Sequence, residues 1–169
     1  SLQWPSSAVD RPHDQIRVLA VADPVFNSRE AGQAQLTSQM RPLPAPDVLR
    51  SVLNGNREAI GQLPRLAGTR LEATALTRLY PQTTTLLGAE ANEQSLRSLA
   101  QDGTLANFDI IHLATHALID AENPGHSALV LSQIDPIAGL DGLLTVQEIS
   151  HSWQLNAELV TLSACATGL

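Results

Sequence analysis

Cysteine is almost absent from this sequence, and aromatic and cationic residues are scarce. The 169 residues include one cysteine, 3% aromatic residues, and 10 Lys and Arg against 17 Asp and Glu. A single cysteine excludes an internal disulfide framework and a cysteine-cluster metal site. The shortage of cations argues against nucleic-acid partners, because neutralising phosphates requires clustered Lys and Arg.

Long apolar runs are also missing. No segment approaches the roughly 20 apolar residues of a membrane span, and no signal peptide is recognisable. We therefore expect a cytoplasmic protein with no membrane partner. The chain does not begin with Met, its only methionine being Met40, and we interpret it as a piece of a longer protein.

Apolar runs alternating with helical patterns predict the fold class. Hydrophobic residues make up 43% of the chain, enough for one folded domain. The polar residues 1–15 are predicted to be a linker or N-terminal extension, and residues 16–169 the domain. Strands are predicted over 16–22, 83–87, 108–114 and 158–164. This order is typical of an α/β fold, a mostly parallel sheet with helices on both faces.

Several capping signals mark the predicted helices. Thr69 and Glu72 have the spacing of a capping box, as have Thr145 and Glu148. Asn92 is a candidate cap between them. Behind the first box, apolar residues recur at intervals of four and predict an amphipathic helix that ends before Pro81; they are Leu71, Ala75 and Leu79. A short helix is also predicted over 47–53.

Two reactive side chains follow predicted strands. His116 comes after the run 108–114, and Cys165 comes after the run 158–164. Ligands of open α/β sheets bind at the carboxyl ends of the strands, so both side chains are expected at one edge. An adjacent imidazole activates a thiol by favouring the thiolate. We therefore predict Cys165 as nucleophile and His116 as its base, rather than a buried structural cysteine.

The same segments resemble the CHAT family, a branch of the caspase-like cysteine peptidases. The resemblance covers roughly residues 63–169 and rests on ordered motifs: LP at 63–64, IIHLATHA at 110–117, SALVLS at 127–132, DGLLT at 141–145 and LVTLSACATG at 159–168. Caspase histidines lie about 50 residues before the cysteine, and here the separation is 49.

The resemblance implies a caspase-like fold and a cysteine endopeptidase with a His116–Cys165 dyad. The backbone N–H groups of Ala117 and Cys165 would form the oxyanion hole. Independently of the resemblance, Asp120 lies shortly after His116 and could orient the imidazole or contact a basic residue of a substrate, the alternative being a solvated loop carboxylate. The substrate would be a protein or peptide, a thioester would form on Cys165, and neither a cofactor nor a metal is needed. A tetratricopeptide-repeat or other regulatory region is expected in the full-length protein. The family domain continues past the cysteine, so 16–169 would be its N-terminal catalytic portion, with an incomplete C-terminal half.

Alternatives remain open at this stage. The family has Gly after the catalytic histidine, where this chain has Ala117, so an inactive or incomplete protein-interaction module is one alternative. A doubly wound binding domain, with His116 and Cys165 on non-adjacent strands, is another. His112 lies within a predicted strand and is interpreted as a core histidine with satisfied hydrogen bonds. Its four-residue spacing from His116 could suit zinc only on a helix, so no metal site is predicted.

Overall fold

The computed structural model describes residues 11–27, 50–52, 56–134, 138–163 and 166–168. Its strands are β1 (Arg17–Ala22), β2 (Gln82–Leu87), β3 (Ile110–Ala114), β4 (His116–Ile119), β5 (Ala128–Val130), β6 (Leu143–Thr145), β7 (Leu159–Leu162) and β8 (Ala166–Gly168). Its helices are α1 (Arg57–Ile60), α2 (Thr69–Leu79), α3 (Glu93–Gln101) and α4 (Val146–Ser152). Short 3-10 turns lie at His13–Gln15, Gly88–Glu90, Thr104–Asn107 and Pro124–His126.

The first sheet is parallel throughout, with the strand order β2–β1–β3–β7. Helices cover both of its faces. On one face Ala73 of α2 packs against alanines of β1 and β3; on the other, Leu96 of α3 packs against Leu19 and Val21. Successive residues of a strand point to opposite faces, so one strand packs against both helices. The predicted α/β architecture of caspase-like type, a mostly parallel sheet with helices on both faces, is therefore confirmed.

Helix α2 forms where predicted but buries a different stripe. Leu71 and Leu79 are 62% and 56% exposed, whereas Thr69 and Ala73 are buried. The sheet places the alanines Ala20, Ala22 and Ala114 beneath Ala73, so the helix approaches the sheet closely at this point. Of the apolar residues that predicted an amphipathic helix, Leu76 packs against the alanine cluster, whereas Leu71 and Leu79 are exposed, because the periodicity of leucines does not show how near the helix comes to the sheet.

The capping predictions had different outcomes. The capping box of Thr145 and Glu148 is present, and Asn92 accepts a hydrogen bond from the N–H of Ser95 at 2.8 Å. The box at Thr69 and Glu72 is wrong. Gly68 caps α2, the hydroxyl of Thr69 accepts from the N–H of Asp23, and the carboxylate of Glu72 contacts His112. Tertiary partners take both side chains away from the helix end.

A second sheet, with the order β6–β5–β4–β8, continues from the first. The chain passes from β3 to β4 through Thr115, a buried residue whose hydroxyl donates to the carbonyl of Val130. β7 lies beside β3, and β8 lies beside β4, both in parallel register. Two neighbouring segments thus contribute strands to both sheets: β3 and β4 on either side of Thr115, and β7 and β8 further along the chain.

The predicted N-terminal extension and the helix over 47–53 fall largely outside the described residues. At the edge of the former, Arg11 forms ion pairs with Asp109 at 2.8 Å and with Glu158 at 2.9 Å. Residues 50–52 of the latter are helical. Among the helices of the described ranges, none has the length and apolar character needed to cross a membrane.

Candidate active site

His116 is the first residue of β4, directly after the passage between the sheets. Only 2% of its surface is exposed. The ring of Phe26, which follows the end of β1, lies with its centroid 5.5 Å from the imidazole centroid at an angle of 42°. His116 follows the predicted strand, as expected, but it begins a second strand, β4, that holds its side chain in the interior.

The two ring nitrogens of His116 have different surroundings. Nε2 contacts the carbonyl oxygen of Pro64 at 2.7 Å. Nδ1 is the only buried side-chain nitrogen or oxygen in the described ranges without a hydrogen-bond partner there. Since a carbonyl can only accept, Nε2 carries the proton, and the neutral imidazole has its free electron pair on Nδ1. The site therefore holds a buried proton acceptor at Nδ1.

Burial lowers the pKa of His116 below its ordinary value of 6.5, and the hydrogen bond to Pro64 opposes this shift by favouring the protonated ring. At neutral pH the imidazole is consequently neutral. A neutral imidazole with an accepting nitrogen is the form that a general base requires.

Cys165 lies outside the described residues, but the chain on either side of it is described. On the amino side, the N–H of Ser163 donates to the carbonyl of Leu113 at 2.9 Å. On the carboxyl side, Ala166 pairs with Ala117, the residue after His116. The segments flanking Cys165 are thus attached to the residues that flank His116.

Ala117, a further predicted site residue, lies within β4. Ala117 is paired with Leu129 of β5 and with Ala166 of β8. Its φ is not positive, so alanine is accommodated in this backbone without the strain that a left-handed conformation would bring. The oxyanion-hole role of the N–H groups of Ala117 and Cys165 stays a prediction.

The carboxylate of Asp120 belongs to a local turn. One of its oxygens accepts from the N–H groups of Glu122 and Asn123 at 3.0 and 2.9 Å. The predicted orienting of the imidazole by Asp120 is not observed, because Nε2 of His116 contacts Pro64 and Nδ1 has no described partner. A contact of Asp120 with substrate stays a prediction.

His112 has partners on both ring nitrogens. Nδ1 contacts the hydroxyl of Thr161 on β7 at 2.6 Å, and Nε2 contacts the carboxylate of Glu72 on α2 at 3.1 Å. This pattern agrees with the interpretation of His112 as a core histidine with satisfied hydrogen bonds.

Comparison with known proteins identifies the family. The family model described as CHAT domain matches residues 2–169. The chain belongs to the CHAT domain family. This match extends further towards the N-terminus than the motifs over 63–169 and includes β1. Comparisons with curated proteins and with solved structures gave no match. The CHAT domain is related to the caspase-like peptidases, which agrees with the parallel sheet and its flanking helices.

Sequence reasoning missed the role of Pro64. The pair Leu63–Pro64 belongs to the family motifs, but the group that contacts His116 is a backbone carbonyl, which every residue has. No side-chain pattern marks which carbonyl faces a histidine 52 residues later. Only the packing of the segment before α2 against β4 reveals it.

Proposed function

We propose that this CHAT domain is a cysteine endopeptidase, with Cys165 as nucleophile and His116 as general base. The observation that carries the proposal is the state of His116: a buried imidazole with Nε2 on the Pro64 carbonyl and Nδ1 without a described partner. Buried polar atoms are ordinarily hydrogen-bonded, so an orphaned one calls for an explanation such as a catalytic role. A thiol is a fitting partner for that nitrogen.

The topology supports the pairing of the two residues. The strands that precede them, β3 and β7, are parallel neighbours, and Ala117 and Ala166 are register partners directly after them. The competing doubly wound domain predicted non-adjacent strands, so this topology favours the dyad.

The proposed reaction proceeds in two steps. Nδ1 of His116 takes the proton from the thiol of Cys165, and the sulfur attacks the carbonyl carbon of the scissile peptide bond. The negative oxygen is held by the backbone N–H groups of Ala117 and Cys165. When the C–N bond breaks, the imidazolium returns its proton to the leaving amine and a thioester remains. Water, deprotonated by Nδ1, then hydrolyses the thioester and releases the acid and the thiol.

The proposed dyad also indicates the class of substrate. A protein or peptide substrate is expected, because the dyad cleaves amides without a cofactor or metal. We also propose a cytoplasmic location, with a tetratricopeptide-repeat or other regulatory region in the full-length protein as partner.

A peptide carrying a thiol-reactive electrophile tests the proposal. The wild-type protein should become covalently labelled, and mass spectrometry should locate the adduct on Cys165. Cys165→Ala should abolish labelling. A matched second probe with the same electrophile but no peptide separates recognition from simple thiol reactivity. Equal absence of labelling in folded wild type and Cys165→Ala would contradict the peptidase proposal.

A non-catalytic interaction module is the second candidate, and the exposure of β7 favours it. Leu159, Val160 and Leu162 are 49%, 44% and 60% exposed, although strands of parallel sheets are ordinarily covered on both faces. Exposed apolar strand residues are typical of interaction surfaces. This candidate predicts that the full-length protein with Cys165→Ala keeps the cellular function of the wild type. The peptidase proposal predicts that Cys165→Ala abolishes that function.

A further inference from the structure

Asp23 occupies an unusual position at the carboxyl end of β1. It is 1% exposed, and its φ of 52° makes it the one non-glycine residue with a positive φ in the described ranges. Asp and Asn tolerate this left-handed conformation better than most residues. A carboxylate buried to this extent is costly unless charged groups and hydrogen bonds compensate it.

The compensation comes entirely from one segment before and within α2. Arg65 donates to both carboxylate oxygens of Asp23, from Nε at 2.7 Å and from Nη2 at 2.8 Å. Arg70 adds a hydrogen bond from Nε at 2.7 Å. The backbone N–H of Asp23 donates to the hydroxyl of Thr69, which in turn donates to the carbonyl of Leu66. Asp23 therefore fixes residues 65–70 to the end of β1.

This segment begins at the residue after Pro64. The Pro64 carbonyl and the Arg65 nitrogen belong to one planar peptide unit, so a rotation of the Arg65 backbone also turns that carbonyl. Arg65 is 15% exposed and held by a bidentate ion pair, the geometry that restricts a guanidinium most strongly. The orientation of the carbonyl that faces His116 is thus coupled to the ion pair with Asp23.

We propose that Asp23 is a positioning residue, which acts through Arg65 to direct the Pro64 carbonyl at Nε2 of His116. It thereby selects the imidazole tautomer whose Nδ1 can accept a proton. This proposal deepens the proposed function and rests on it for its effect on catalysis, but the tautomer of His116 can be observed without any activity. A merely structural ion pair would stabilise the fold and leave the imidazole unchanged.

Asp23→Asn is the decisive variant. Asparagine keeps the size of the side chain and tolerates positive φ, but it loses the charge that holds Arg65. NMR of the protein with nitrogen-15-labelled histidine should show the Nε2–H tautomer of His116 in wild type and a loss of that preference in Asp23→Asn. The His116 pKa should fall further, because the hydrogen bond that Nε2 donates to the Pro64 carbonyl raises it. Alkylation of Cys165 by iodoacetamide at pH 7 should slow by about 10-fold to 100-fold.

Two variants distinguish positioning from general weakening of the ion-pair cluster. Arg65→Gln should reproduce the change at His116, whereas Arg70→Gln should change it less, since Arg70 lies five residues further along the chain. Arg97→Gln is the matched control on α3, where the arginine contacts Glu93 and Glu148 at 3.8 and 3.9 Å. It should leave the tautomer and the alkylation rate as in wild type.

The possible results separate this proposal from the proposed function. An unchanged His116 tautomer, pKa and alkylation profile in folded Asp23→Asn would overturn the positioning role, even if the melting temperature falls. If Asp23→Asn does not fold, Arg65→Lys decides: it keeps the charge but loses the bidentate contact, and an unchanged tautomer in it would overturn the role equally. An unreactive Cys165 in wild type would instead contradict the peptidase proposal, while the NMR result would still test the action of Asp23 on His116.

Discussion

His112 and His116 lie four residues apart on successive strands, yet their surroundings differ in every respect that matters for chemistry. Both nitrogens of His112 are occupied by side chains, Thr161 and Glu72. His116 contacts one backbone carbonyl and leaves its other nitrogen without a described partner. The difference teaches that residue type alone does not fix the surroundings of a histidine: within β3 both ring nitrogens have partners, whereas directly after the passage between the sheets one nitrogen has no described partner.

The passage between the sheets at Thr115 is the physical origin of the difference. Before it, β3 lies between β1 and β7, and α2 covers the face that carries His112. After it, β4 pairs with β5 and β8, and His116 faces Phe26 and the segment that contains Pro64. Two residues of the same type therefore belong to different layers of the molecule.

Replacing each histidine by glutamine should give the largest contrast. His116→Gln should slow labelling of Cys165 by about 100-fold to 10,000-fold, the usual contribution of a general base. His112→Gln, the matched control, should label at a rate near that of wild type, provided that circular dichroism shows it folded. Rates are measured with the electrophilic peptide at pH 7. Equal loss of labelling in both variants would break the comparison, because it would show a common structural cause.

The hydrogen bonds of His112 should contribute to the stability of the fold. His112→Leu removes the partner of the Thr161 hydroxyl and of the Glu72 carboxylate, and we expect the free energy of unfolding in urea to fall by about 1–3 kcal/mol. Glu72→Gln should cost less than about 1 kcal/mol, because that side chain is 41% exposed and its amide oxygen can still accept. A larger loss in Glu72→Gln than in His112→Leu would contradict this assignment of the network.

The pH dependence of stability should report on His116. Its pKa is lowered by burial, so between the ordinary value of 6.5 and the lowered value the unfolded chain binds a proton that the folded protein does not. The contribution of the neutral His116 to the free energy of unfolding is therefore fully present above pH 6.5 and is lost as the pH falls through this window. Urea unfolding at pH 7 and pH 5 should show the decrease in wild type and a smaller one in His116→Gln. Identical decreases would mean that carboxylates alone cause it.

Asp120→Asn should produce the smallest change. The carboxylate accepts from two N–H groups of its own turn, and the amide oxygen of Asn preserves part of that contact. We expect a loss of about 0.5–1 kcal/mol in unfolding free energy and no change in the reaction of Cys165 with iodoacetamide. An altered preference among electrophilic peptides, together with an unchanged rate of reaction with iodoacetamide, would support the predicted contact with substrate. A slower iodoacetamide reaction would instead revive the orienting role.

Much of the fold was predictable because the strands of a parallel sheet are recognisable in the sequence as nearly continuous apolar runs. Apolar runs predicted β1, β3 and β7; β1 is buried on both faces, as such a run indicates, whereas Leu159, Val160 and Leu162 of β7 are exposed. Local caps at Asn92 and Thr145 were also visible, since their partners lie three residues away. The site was predictable only in part: His116 was selected by its place after a strand, and His112 was recognised as a packed residue.

What the sequence determined by itself was the order of the four strands of the parallel sheet and of α2, α3 and α4, together with the type of the reactive residues; the second sheet of β4, β5, β6 and β8 was not predicted. The features so determined depend on composition and periodicity, which act over a few residues. The tertiary structure alone decided that Thr69 binds Asp23 instead of capping α2, that Leu71 faces outward, and that Pro64 rather than Asp120 contacts the imidazole. Each of these contacts joins residues more than 40 positions apart or depends on how closely a helix meets a sheet, and neither quantity is encoded by local spacing.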